Sequence, residues 1–167
     1  VDGTEPSAMT NQRSSDPPPA APPPAVLHEL TERLNQHPGI ARMGIKLDFS
    51  TPGAVRADVD PIEPHHRGGM GTAAVNGPTI AGVFDLVTGF TGYLQALGKR
   101  VGVAQLNIQY LRPVLGNRFH VIGRPTRVGR SLAFVASELY DEAGVVCARS
   151  DGIVALSGVE GSGELAL

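Results

Sequence analysis

One acid, Asp85, stands in the largely apolar stretch VNGPTIAGVFDLVTGFTGYLQALGK, residues 75–99. An ionised carboxylate buried there without a partner costs several kcal/mol, comparable with the stability margin of a small domain. Either something satisfies Asp85 or it is used. Ala81, Gly82 and Gly89 lie three or four residues from it and leave open space around the carboxylate. Other groups able to do chemistry are fewer. Glu63, His65 and His66 could suggest a metal site, but adjacent histidines in a Pro/Gly loop read as solvated side chains, and no further ligand cluster accompanies them. No metal is expected. Arg127 and Arg130 flank a turn and in themselves read as a solvated hairpin tip. The single cysteine, Cys147, reads as a small buried hydrophobe in a strand.

These residues need elements to carry them. The segment AVLHELTERLNQ spaces Val26, Leu27, Leu30 and Leu34 as a helix does, and His37-Pro38-Gly39 stops it. RMGIKLDF and AVRADVD alternate as strands around the turn signal Thr51-Pro52-Gly53, which predicts a hairpin. Residues 61–74 read as a loop. Gly77-Pro78 opens a helix that stays apolar on all sides until Gly98, so it is expected to be the buried centre of the molecule. Gly82, Gly89 and Gly92 each cost about 1 kcal/mol relative to alanine inside a helix, and close packing or a ligand must justify them. VAQLNIQYLRPV, RFHVIGRPTRV, SLAFVASELYD and VVCARSDGIVAL then alternate with short connections, predicting an antiparallel meander. The fold class expected is α+β, an antiparallel sheet wrapped around one long apolar helix that buries every face.

The 167 residues, 41% hydrophobic and 18% charged, suit one globular core. With a net charge of −2, no basic field exists to collect nucleic acid or an anionic membrane surface. No apolar run reaches the length of about 20 residues that a bilayer span needs. A lone cysteine fits a reducing compartment, so a cytoplasmic location is expected. Residues 1–24 are proline-rich, lack the pattern of a secretory signal and are expected to be a disordered tail. Residues 25–160 are expected to form the domain and 161–167 a flexible terminus.

The order NGPTIAGVFD, LNIQYLRPV, TRVGRSLAFVASELYDEAGVVCARSDGIVAL resembles the hotdog-fold acyl-CoA thioesterases of the phenylacetate-degradation type, related to 4-hydroxybenzoyl-CoA thioesterase. The resemblance covers residues 71–156. In that family a catalytic Asp lies eight residues after the first glycine of a His-Gly-Gly motif; here the glycine is Gly77 and the acid Asp85. RVGRSLAF matches the family's basic-Gly-basic turn. The chain departs from the pattern at four positions. Asn76 replaces the His and Pro78 the second Gly; Met70 stands for a common Asn, and Val103 for a Ser or Thr.

The resemblance implies a hotdog fold and hydrolysis of an acyl-CoA or related thioester. The Gly77 N–H, at the positive end of a helix dipole, would polarise the carbonyl, and Asp85 would act as general base or nucleophile. Asn76 would cap the helix, with Met70, Val103 and Phe90 beside the substrate. Tyr93 and Tyr110 hint at an aromatic lining. Arg127 and Arg130 would meet the phosphates of coenzyme A, which enters only as part of the substrate, so no cofactor is expected. The implied partners are the thioester and further copies of the chain, as a dimer or tetramer with the site between subunits. A non-catalytic acyl-ligand-binding protein is the alternative. A hydratase is disfavoured because no His lies near Gly77.

Overall fold

A computed structural model describes residues 22–68 and 72–160. Helix α1, Pro24–Asn35, starts with proline in its first turn and buries Leu30 and Leu34. The His37-Pro38-Gly39 signal ends α1 but also opens a second helix, α2, Pro38–Arg42, because proline suits a first turn and the His37 ring accepts a hydrogen bond from the Gly39 N–H. Arg42 to Gly44 are therefore not strand, as the alternation had suggested. Gly44, at φ 65°, turns the chain into β1, Ile45–Asp48, which pairs antiparallel with β2, Val55–Val59. The Asn35 amide clamps α1 to this hairpin by bonding both the N–H and the C=O of Leu47.

The central helix α3 runs over Gly77–Tyr93, stopping five residues short of Gly98. Four strands follow: β3 Lys99–Tyr110, β4 Phe119–Val128, β5 Leu132–Asp141 and β6 Val146–Glu160. The six strands form one antiparallel sheet in the order β1-β2-β4-β5-β6-β3. Only β4, β5 and β6 make a meander. β3 pairs with β6 at the far edge rather than with β4, so the segment 111–118 crosses the end of the sheet instead of closing a hairpin.

Helix α3 lies against the inner face of this curled sheet. Ile80, Val83, Phe84 and Val87 join Phe49, Val55, Phe119, Val121 and Leu139 in the main core. Three glycines let helix and sheet approach. A Cβ on Gly92 would fall 2.5 Å from Val154, one on Gly123 2.5 Å from Val87, and one on Gly152 2.5 Å from Thr88. Close packing thus explains Gly92. At Gly82 the neighbour is only the flexible tip of Met43, and at Gly89 it is Val103 at ordinary contact distance.

The sheet covers one side of α3, not every side. Ala81, Gly82, Leu86, Gly89, Phe90 and Tyr93 remain partly open, and Asp85 is exposed. The premise that Asp85 is a buried acid is corrected: within one chain the apolar helix is half-clothed. The described chain also leaves one edge of β3 unpaired.

Candidate active site

Helix α3 begins in a tightly tied corner. The described part of loop 61–74 contains a 3-10 turn, Pro64–His66, whose His66 is buried rather than solvated. Its Nδ1 accepts from the Glu63 N–H at 3.0 Å, so Nε2 carries the proton and donates to the Met43 carbonyl at 2.8 Å. His65 is exposed and rests on the His66 ring. Among the described residues no three His, Cys, Asp or Glu side chains come together as metal ligands.

Asn76 caps α3. Its Oδ1 accepts from the Thr79 N–H at 2.8 Å, its Nδ2 donates to the His65 and Arg67 carbonyls at 3.1 and 3.2 Å, and its N–H donates to the His66 carbonyl. A helix start leaves its first N–H groups without intrahelical acceptors. Here Asn76 takes the one at Thr79 and Pro78 has none, so Gly77 keeps the single N–H of the first turn with no partner among the described residues. Beside it lies a hollow of about 370 Å³ lined by Gly77, Ile80, Tyr110, Leu111, Arg112 and Val114. Tyr110 and Arg112 both line this hollow; Arg112 follows the strand and breaks no sequence pattern.

Asp85 projects from the open side of α3 and has no hydrogen bond or ion pair with any described residue. It lies two turns beyond Gly77, or about 12 Å at 1.5 Å per residue. One carbonyl cannot touch both groups of the same chain. Val103, on β3, faces Gly89 one turn after Asp85 and brings a methyl group there. Phe90 is not beside Gly77; its ring packs edge-on against Phe49, with centroids 5.8 Å apart. Arg127 and Arg130 are exposed and lack partners among the described residues. They sit past the C-terminal end of α3, since Ser131 bonds Leu156, which pairs with Val101. In one chain they are therefore remote from Gly77. Met70 lies outside the described residues.

The outer face of the sheet carries a separate polar row. Arg56 forms a two-point bond to Asp58, which holds its guanidinium still more firmly protonated. His120 stacks on Tyr140, and burial, helped by Arg56, pushes its pKa down. The Tyr140 hydroxyl donates to Glu138, which also pairs with Arg149; that bond, then burial, pushes the phenol up. Cys147 is buried, and burial, followed by Asp141, raises its thiol. No helix among the described residues is long and apolar enough to cross a membrane.

Comparison with known proteins fits this architecture. The family model for the thioesterase superfamily matches residues 73–148. No curated protein sequence matches significantly. Among solved structures, a thioesterase from Haemophilus influenzae aligns at TM-score 0.70 and 19% identity, covering 78% of this chain and 90% of that one. Zebrafish thioesterase superfamily member 2 aligns at 0.67 and 20%, covering 78% and 98%. The E. coli PaaI protein of the phenylacetic acid degradation operon aligns at 0.67 and 12%, covering 80% and 94%. A curled six-stranded antiparallel sheet with one helix against it gives this chain the hotdog fold, and its residues 73–148, from just before that helix to strand β6, are similar to the thioesterase superfamily.

Proposed function

We propose that the protein hydrolyses acyl-CoA or related acyl thioesters, with each site built from Gly77 of one chain and Asp85 of another. One observation carries this reading. The one N–H of the α3 start and an exposed carboxylate that both lack partners among the described residues sit on one helix about 12 Å apart, too far to act together within a chain but suited to act across two. The Gly77 N–H stabilises the oxyanion as the carbonyl is attacked. Asp85 either removes a proton from the attacking water, after which the C–S bond breaks and the thiol leaves with that proton, or attacks the carbonyl carbon itself, expelling the thiolate and forming an acyl–Asp85 anhydride that water then cleaves, one water proton going to the thiolate. A second copy laid on the open side of α3 would also cover its apolar surface, so the working unit is a dimer or a pair of dimers. The free guanidinium groups of Arg127 and Arg130 suit coenzyme A phosphates, reached from a neighbouring chain. Without the nucleotide, a short thioester would not feel their replacement by Gln.

Val103 favours a second reading. A methyl group faces Gly89, near Asp85, where a hydroxyl could have oriented a water, which suits a protein that binds acyl ligands without turnover. Asp85→Asn separates the two. The hydrolase reading expects turnover to fall by about 10²–10⁴, with affinity for an uncleavable acyl-CoA analogue retained. No turnover in the parent across a broad acyl-CoA panel, with tight analogue binding, would establish the binding protein instead.

A further inference from the structure

We infer that the substrate's acyl group is a long aliphatic chain whose distal part fills the apolar cavity between α1 and the C-terminal end of α3. This rests on the hydrolase reading for the position of the thioester but not for the cavity itself. The cavity, about 560 Å³, falls within the usual range for small-molecule sites. Its walls are mainly apolar, from Pro22, Pro24, Leu27, Phe49, Leu94 and Pro125.

The lining chemistry narrows the occupant. No lysine or arginine among the described residues lines the cavity, so a phosphate or carboxylate head would find no cation among them. The one acid among the described lining residues, Asp48, is already engaged by the N–H and hydroxyl of Ser50 at 2.7 and 3.0 Å. His28 is exposed at the rim. What remains is a space that rewards methylenes.

The position connects it to Asp85. Leu86, Phe90 and Leu94 recur every four residues, so they form one stripe along α3, starting at the turn that carries Asp85. Leu94 is a wall of the cavity, and Phe90 touches Phe49, another wall. Asp85 and Leu94 are about 13 Å apart along the helix axis. A chain held at Asp85 by its carbonyl must therefore pass Phe90 before it gains the cavity. Short acyl groups stop before it.

The test is a chain-length series, from butanoyl- to hexadecanoyl-CoA, run on the parent and on Gln95→Phe and Thr31→Phe, which place a ring in the cavity from two different elements. Binding of the matching uncleavable thioether analogues is measured in parallel. In the parent, kcat/KM is expected to be flat for the shortest chains and then to rise about three- to fourfold per methylene as the cavity fills. Each variant should cut the hexadecanoyl-to-butanoyl ratio by at least about tenfold. Hydrolysis that does not improve with chain length, or a ratio untouched by both variants, overturns the inference while leaving the hydrolase reading intact. If the parent hydrolyses nothing but analogue affinity climbs with chain length and the variants abolish the climb, the cavity stands and the hydrolase reading fails. Analogue affinity that ignores chain length overturns the cavity on its own. So does a change of sedimentation coefficient in both variants, which would make it a surface between copies, or a gain in analogue affinity on removing residues 1–21, which would make that segment its occupant.

Discussion

The Tyr110 hydroxyl donates to the Gly77 carbonyl at 3.4 Å, so the last residue of the edge strand touches the first residue of the central helix. A long, exposed bond of this kind contributes little, well under about 1 kcal/mol. The ring matters more, because it walls the hollow beside the Gly77 N–H. Tyr110→Phe should leave kcat/KM and melting temperature near the parental values, whereas Tyr110→Ala should raise KM at least about threefold by opening that wall. Steady-state kinetics on both variants decide this, and equal defects would assign the effect to the hydroxyl.

A shared site can be rebuilt from two broken chains. Gly77→Pro removes the N–H at a helix position where proline is tolerated, and Asp85→Asn removes the carboxylate. Each variant alone should be nearly inactive. Unfolded and refolded together, they should regain about a quarter of parental turnover, since half the dimers are mixed and each mixed dimer holds one intact site. No recovery, in a mixture that sedimentation shows to be dimeric, would mean that both groups act within one chain.

Asn76 ties three backbone groups, two in the 65–67 loop and one in α3, through one side chain. Asn76→Ala should lower stability by about 1–2 kcal/mol in denaturant unfolding. Asp85→Asn, by contrast, alters an exposed group with no partner among the described residues and should shift stability by less than about 0.5 kcal/mol. A large loss in the second variant would reveal a structural acid.

Among the described residues three buried hydroxyls, of Thr88, Ser137 and Ser150, have no hydrogen-bond partner, and Ser137 and Ser150 are register neighbours across β5 and β6. Thr88→Val replaces one of them with a group of the same shape. The expected result is a melting temperature equal to or above the parent's, because an unpaired buried hydroxyl costs about 1–3 kcal/mol. A clear drop would show that the three groups bind internal water.

His120 has its pKa lowered in the folded protein, first by burial and then by Arg56. The unfolded chain therefore takes up its proton first as pH falls. Stability should decline from about pH 6.5, the unfolded value, down to the lower folded pKa, with no contribution from this group above that range. His120→Gln should flatten that part of the stability profile, followed by urea midpoints against pH.

Much of this architecture was legible because local patterns encode it. Alternation set β2, β4 and β5 nearly to the residue and the start of β6, which runs four residues past the expected end, and Asn76-Gly77-Pro78 marked the start of α3. Partner choice between strands is not local, so the place of β3 beyond β6 could not be read from LNIQYLRPV. The same limit hid the state of Asp85: apolar neighbours announce that a helix face is to be covered, but not whether its own chain covers it. His66 was misjudged because its burial depends on Met43 and Glu63, which no spacing rule connects to it.

Pro78 bears on the fate of the product. A helix start with two parallel donors can hold both oxygens of a carboxylate, and such termini bind anions well. With proline in the second position and Asn76 occupying the third, this one offers a single bond to a single oxygen. The neutral ester uses that bond fully, and the acid formed by hydrolysis finds no second one. In the proposed reaction the free acid thus gains no second bond at this helix start, and its new charge meets Asp85, so release rather than retention follows the chemistry.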